Sequence, residues 1–282
     1  MKTSITIHPK FNYLKDYIEQ VPQAFESLSS VLYRDRNLIK VDKVSDVKVV
    51  IKSYGRIYLT NRIRYSFFYP SKAERAYRNG LRLLEEGFLT PEPVAFIERS
   101  KGGLLTQSYF VSLYTDFAPL ATIISDGQDG LIKDLVGFAH QLHRRGIYHM
   151  DFSNGNILCK KQNDHFQFSL VDNNRMQFKK FNFSKGLKTF KRLGLTNEQL
   201  TNVAKEYARL ERADESRTIQ QMFDIVRRHQ NRDRLRKNAK KMVINAGHRL
   251  AAGSQHGLHQ LRLDDRARHR RRAAPDLRLQ HG

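Results

Sequence analysis

Three oxygen-bearing side chains, Asp151, Asn156 and Asp172, stand at intervals that could manage phosphate chemistry. They lie in His149-Met-Asp151-Phe-Ser-Asn-Gly-Asn156-Ile-Leu158 and, after a polar turn, in Ser169-Leu-Val-Asp172-Asn-Asn-Arg175. Moving a phosphoryl group from a nucleotide to a hydroxyl asks for positioned charge more than covalent chemistry. One carboxylate orients the hydroxyl and takes its proton, oxygen ligands hold magnesium, a lysine fixes the phosphates and an acid steadies that lysine. Asp151 suits the first task. The amide oxygen of Asn156 and the carboxylate of Asp172 suit the second, because magnesium is a hard cation that selects oxygen. Asp and Asn also build ordinary turns. The full order is more specific than the pair: helix, His-x-Asp, a five-residue interval, an Asn-Ile-Leu strand, a turn, a strand, Asp.

The cation and its partner must come from earlier in the chain. Lys52 ends the strand-like run Val49-Val-Ile-Lys52. Side chains alternate along a strand, so Val50 shares the face of Lys52 and could roof an adenine, while Val49 and Ile51 turn the other way. Lys48 lies on the same face and is a rival. Glu74 is the expected ion-pair partner, although as the third residue after Ser71 it also completes a capping-box pattern. Glu85 and Glu86 are poorer partners, near the far end of the same helix.

The elements that must position these groups follow from periodicity. Ser30–Tyr33, Leu38–Val44 and Asp46–Lys52 read as strands. Ser71 starts a helix with the apolar stripe Ala73, Tyr77, Leu81 and Leu84, and Gly87 ends it. Thr90-Pro-Glu-Pro93 leads into a strand at Val94–Glu98, and Leu104–Leu113 forms another. The first half therefore reads β-β-β-α-β-β. After Pro119, the spacing of Leu131, Leu135, Val136, Ala139 and Leu142 predicts a helix stopped by Gly146. Two short strands follow, Ile157–Cys159 and Phe166–Val171. Helices alone are expected beyond Lys185, over 197–212, where Thr196-Asn-Glu-Gln199 is a second capping box, and about 214–245.

Together these motifs resemble the protein-kinase-like superfamily, whose His-Arg-Asp-Leu-x-x-x-Asn loop has the same Asp-to-Asn interval as Asp151 and Asn156. Val49-Val-Ile-Lys52 is similar to the Val-Ala-Ile-Lys strand of that superfamily. Within it, residues ~30 to ~200 resemble the lipopolysaccharide kinases, which phosphorylate Kdo or heptose sugars of the inner core, more than regulatory protein kinases. The resemblance implies an α+β, bilobal fold with a small antiparallel β lobe carrying one helix and a larger helical lobe. It places the lobes at 1–115 and 116–248. It also implies ATP and magnesium as cofactors and a lipid-linked sugar hydroxyl as acceptor, with Kdo preferred.

The chain departs from that pattern in places. The hairpin Tyr33–Lys40 has no glycine, so Arg34, Arg36 or Asn37 would have to meet phosphate. Asp172-Asn-Asn replaces Asp-Phe-Gly, position 150 is Met rather than Arg, and no Ala-Pro-Glu follows. These differences argue for a constitutive enzyme over a switchable protein kinase. His149 is expected to support the loop by hydrogen bonding. His140 and His143 lack a third ligand and read as packing or surface residues.

Of the 282 residues, 50 are basic and 28 acidic, for a net charge of +22. Such an excess suits a phosphorylated substrate, an anionic membrane face or nucleic acid. It counts against an aminoglycoside-type phosphotransferase, whose acceptors are cationic. Basic and aromatic residues from Tyr54 to Arg78, including Arg56, Tyr58 and Phe67, could meet anionic lipid or merely pack. The intact acidic set argues against a non-catalytic nucleic-acid or membrane module, and no nucleic-acid partner is expected. The single cysteine, Cys159, excludes disulfide and cysteine-cluster frameworks and reads as a buried strand residue. No signal-like or membrane-spanning stretch occurs, so a cytoplasmic protein, peripheral to the inner membrane face, is expected. Residues 249–282 contain eight Arg but no Lys, Ile, Val or Glu. They read as a frameshifted or vector-encoded end, with a genuine basic tail as the alternative, and are expected to pack poorly.

Overall fold

A computed structural model describes residues 1–34, 37–55, 62, 64–66, 68–124, 130–239 and 241–242. Asp35 and Arg36 of the hairpin, Arg56, Tyr58 and Phe67 of the basic-aromatic segment, the 243–245 end of the last predicted helix and the 249–282 segment lie outside them. Met1–Ile225 forms one compact unit and Val226–Gly282 a second. In the second, residues 226–239 are helical.

The first unit opens on a six-stranded antiparallel sheet of order β1-β5-β6-β4-β3-β2. Its strands are β1 (Lys2–Ile7), β2 (Val31–Arg34), β3 (Leu38–Val44), β4 (Val47–Ser53), β5 (Pro93–Lys101) and β6 (Leu104–Leu113). Alternation along β4 decides which face does what. Val49 and Ile51 are fully buried on one face, and Lys52 points from the other.

The first face is covered by α1 (Lys15–Ala24) and the turns around it. Phe11, Leu14, Ile18, Val21 and Phe25 recur at helical spacing and pack on Val49, Ile51, Ile97 and Val111. Neither β1 nor α1 is among the elements expected from the sequence. A buried lysine ties this layer down. Lys40, on β3, donates to the carbonyls of Phe25, Glu26 and Leu28 at 2.8, 2.9 and 2.8 Å. Its three ammonium protons thus satisfy three carbonyls just past the end of α1, where helical partners run out.

The opposite face holds α2 (Lys72–Glu85), packed through Ala73, Ala76 and Tyr77 against Tyr54 and Phe96. Ser71 caps it by accepting from the Glu74 N–H at 3.1 Å. Only that half of the expected box forms, because the Glu74 carboxylate turns instead to Arg78 at 2.7 Å. The box at Thr196 is complete.

The rest of the first unit is mainly helical. It contains β7 (Ala118–Pro119), α3 (Leu131–Arg144), β8 (Ile147–His149), β9 (Ile157–Gln162), β10 (His165–Leu170), β11 (Met176–Phe178), α4 (Phe183–Leu187) and α5 (Asn197–Glu211). Residues 215–225 are also helical. Gly146 ends α3 with φ +73° and lies so close to Lys179 that an added Cβ would collide with its carbonyl oxygen. That tight passage starts β8, which pairs with β11 and delivers His149 to the site. No helix among the described residues is long and apolar enough to cross a membrane.

Candidate active site

The two halves of the acidic motif meet at the end of a hairpin. β9 and β10 pair antiparallel as far as Ile157 and Leu170. One step beyond, the Val171 N–H donates to the Asn156 carbonyl at 3.0 Å, so Asn156 and Asp172 emerge from adjacent points of the ladder. Asp172 adopts a left-handed conformation, φ 61° and ψ 41°, which Asp tolerates better than most residues.

His149 joins the segments. Its Nε2 lies 3.0 Å from the Val171 carbonyl, and its Nδ1 accepts the Asp151 N–H at 3.2 Å. These partners require Nε2 to carry the proton and Nδ1 to be bare, the neutral imidazole. Burial holds its pKa below the usual histidine range, against the hydrogen bond to Val171 and the charges of Asp172 and Asp151. The imidazole is therefore a strut. Asn156 closes the loop by donating its amide to the Asp151 carbonyl at 2.9 Å, which leaves its side-chain oxygen as the ligand-capable atom.

Lys52 reaches the same point from β4. Its Nζ lies 2.5 Å from Asp172 Oδ1 and 5.2 Å from the centre of the Tyr54 ring. The acid paired with Lys52 is thus Asp172, while Glu74 is engaged with Arg78 and Glu86 with Arg145. The rival Lys48 is exposed and lies over Tyr114. Val50 is half-buried on the Lys52 face. Burial pushes the Asp172 carboxyl upward, but the Lys52 ammonium, with the Arg175 guanidinium behind it, holds it below the usual carboxylate range.

Residues beyond the expected set join the site. Asn174 donates to Asp172 Oδ1 at 2.5 Å. Lys72 opens α2 with its pKa lowered, first by burial and then by the charge of Arg175, while Asp172 opposes the shift. Asn79 of α2 donates to the Asn173 carbonyl at 2.7 Å, fastening the helix to the Asp172 loop. Asn173 in turn donates to Thr90, which donates to the Leu170 carbonyl. Finally, Arg192 places Nη1 2.5 Å from Asp151 Oδ1, and Arg175 places Nη1 3.4 Å from Oδ2. Arg192 lies 41 residues from Asp151 in sequence, so no local pattern announces it.

His143 and His140 are structural. His143 is buried, stacked 5.2 Å from Tyr148 and hydrogen-bonded to the Tyr207 hydroxyl at 3.0 Å. His140 pairs with Glu211. Cys159 is buried on β9. Among the described residues, no group of three or more His, Cys, Asp or Glu could hold a metal. The donor set fits magnesium nonetheless, since that ion is commonly held by one or two protein oxygens plus phosphates. Asn156 offers an amide oxygen, and among the described residues the hydrogen bonds to Asp172 from Lys52 and Asn174 fall on Oδ1, which would leave Oδ2 for a cation.

The sequence profile of the lipopolysaccharide kinase (Kdo/WaaP) family matches residues 32–213, well over half of the chain. No curated protein matches. Among solved structures, WaaP in complex with acyl carrier protein is similar in fold, with a TM-score of 0.55 at 18% identity, over 80% of this chain and 98% of that one. The Rio2 kinase of Chaetomium thermophilum, in an ADP/Mg2+-phosphoaspartate complex, gives a TM-score of 0.43 at 19% identity over 80% and 77% of the two chains. The fold is the α+β, protein-kinase-like one, and the chain belongs to the lipopolysaccharide kinase (Kdo/WaaP) family.

Proposed function

We propose that this chain transfers the terminal phosphoryl group of ATP to a sugar hydroxyl of the lipopolysaccharide inner core, with Kdo as the preferred acceptor. The observation that carries the reading is the His149 strut, one buried neutral imidazole that holds the segments of Asp151 and Asp172 together. A turn built only from Asp and Asn needs no such tie to a second acidic loop.

When bound, magnesium ATP supplies the phosphoryl group and the counter-charge that steadies it. The residues of the chain divide the remaining work. Asn156 and Asp172 would hold the cation through their side-chain oxygens. Lys52 would hold the α and β phosphates, with Glu74 as its steadying acid. Val50 would lie against the adenine, and Arg34, Arg36 or Asn37 would approach the phosphates where other kinases use glycine backbone. Asp151 accepts the proton of the attacking hydroxyl as the new oxygen–phosphorus bond forms and the bond to the departing diphosphate oxygen breaks. The lysine strand would belong to an N-terminal lobe of residues 1–115 and the catalytic loop to a C-terminal lobe of residues 116–248. The net charge of +22 favours work at an anionic cytoplasmic membrane face, where a lipid-linked acceptor resides.

Transfer of label from γ-labelled ATP into a lipid A precursor carrying Kdo tests the reading. Magnesium-dependent incorporation that Asp151→Asn abolishes is the expected result. No incorporation into Kdo- or heptose-bearing acceptors, with no magnesium-dependent ATP binding, overturns it.

A further inference from the structure

Asp151 already has partners in this chain. Arg192 Nη1 stands 2.5 Å from one of its oxygens and Arg175 Nη1 3.4 Å from the other. The two guanidinium side chains are 36% and 57% exposed, against 20% for the carboxylate. They are therefore the more solvent-facing members of the cluster and open to an exchange of partners. Arg192 is held there by backbone, since it pairs with Ser153, two residues after Asp151, in an isolated parallel bridge. A neutral hydroxyl that approaches Asp151 must compete with charge-assisted bonds roughly twice as strong as its own. It wins that competition only if the arginines gain something equivalent. Guanidinium groups suit planar, two-point recognition of carboxylate or phosphate. Two of them on one carboxylate also leave a positive charge unmatched.

Resting on the kinase reading, we propose that Arg192 and Arg175 are the acceptor-recognition pair. They hold Asp151 in the acceptor-free protein and release it when an oxyanion on the acceptor, close to the reactive hydroxyl, takes their place. The substrate class is a sugar bearing a carboxylate or a phosphate beside the hydroxyl that is phosphorylated. Arg192 is then a specificity residue, and its exchange of partners lets acidic sugars through and keeps neutral ones waiting.

The test uses the full chain with two acceptor pairs. One is a Kdo-bearing lipid A precursor and the same lipid with its Kdo carboxylates converted to methyl esters. The other is a heptose-bearing core lipid with and without a phosphate next to the acceptor hydroxyl. Blocking the oxyanion should lower kcat/KM by about 30-fold or more in one of the pairs, and the pair that responds tells carboxylate from phosphate. Arg192→Gln should erase the preference within that pair, and Arg192→Lys should restore it in part. A magnesium-ATP thermal shift in each variant verifies that the protein is folded and loaded. Equal use of blocked and unblocked acceptors by the unaltered protein, or a preference that survives Arg192→Gln, overturns this inference alone. No transfer to any of the four acceptors overturns the kinase reading and this inference with it.

Discussion

Lys52 and Asp172 stand 120 residues apart in the chain and 2.5 Å apart in space. The side chains are only 13% and 22% exposed, so neither charge can be deleted without leaving the other poorly solvated. Asp172→Ala should abolish the magnesium-dependent part of any thermal shift produced by ATP. Lys52→Met should leave that part detectable but lower kcat by about 10²-fold or more, as expected for losing one preorganised cation. Isothermal titration with and without magnesium separates the two variants. A full magnesium-dependent shift in Asp172→Ala would refute the assignment.

The same pair carries an acid-side signature. The Asp172 carboxyl is depressed in the folded protein, so its contribution is present above the unfolded carboxylate pKa and is lost as pH falls through the lower folded value. Asp172→Asn should flatten the acid limb of a stability-versus-pH curve. Chemical denaturation from pH 6 down to pH 3 reads the difference.

His143 gives a second pH dependence. Burial, then the neighbouring His140 and Lys185, push its pKa from 6.5 to about 3. Between those values the unfolded chain binds a proton that the folded chain refuses, so stability must fall as the medium is acidified. The slope should approach ~1.4 kcal/mol per pH unit. His143→Gln should remove that slope while costing some stability at neutral pH through the lost stacking on Tyr148. Urea midpoints at pH 7, 6, 5 and 4 check it.

Gly146 is constrained twice, by its positive φ and by the approach of Lys179. Gly146→Ala should cost about 3 kcal/mol, the left-handed penalty plus the displacement of a backbone carbonyl. Because the displaced strand leads to His149, nucleotide affinity should fall along with the melting temperature.

Lys40 predicts the opposite division of effects. Lys40→Met strips three carbonyls of their donor and should destabilise the fold by about 3 kcal/mol. It lies on the sheet face turned from Lys52, so the variant that remains folded should bind magnesium ATP normally. A paired melting and titration experiment distinguishes this from damage at the site.

Strong local periodicity made much of this architecture readable in advance. β3, β4, α2 and α3 fall where the alternation of Val49 and Ile51 and the stripes of Ala73 and Leu135 put them. β1 and α1 escaped. β1 alternates only Ile5 and Ile7 with small polar residues, a weak strand signal. α1 and the 3-10 turn before it, Pro9–Leu14, share the stripe Phe11, Leu14, Ile18, Val21, but Pro22 interrupts it and Phe11 sits in a kink at φ −112°, ψ 20°. At the site, Asp151, Asn156 and Asp172 were visible because hairpin geometry preserves short spacing. The contact of Lys52 with Asp172 was not, since it spans 120 residues and the acids weighed for the lysine, Glu74, Glu85 and Glu86, lie on the following helix. Arg192 could not be found from any window of sequence, because only the folded backbone returns it to Ser153.

The fastening of α2 to the Asp172 loop by Asn79, Asn173 and Thr90 uses amides and a hydroxyl, groups that do not titrate in the physiological range. A clasp of that kind is indifferent to acidity and salt, so helix and loop travel as one piece.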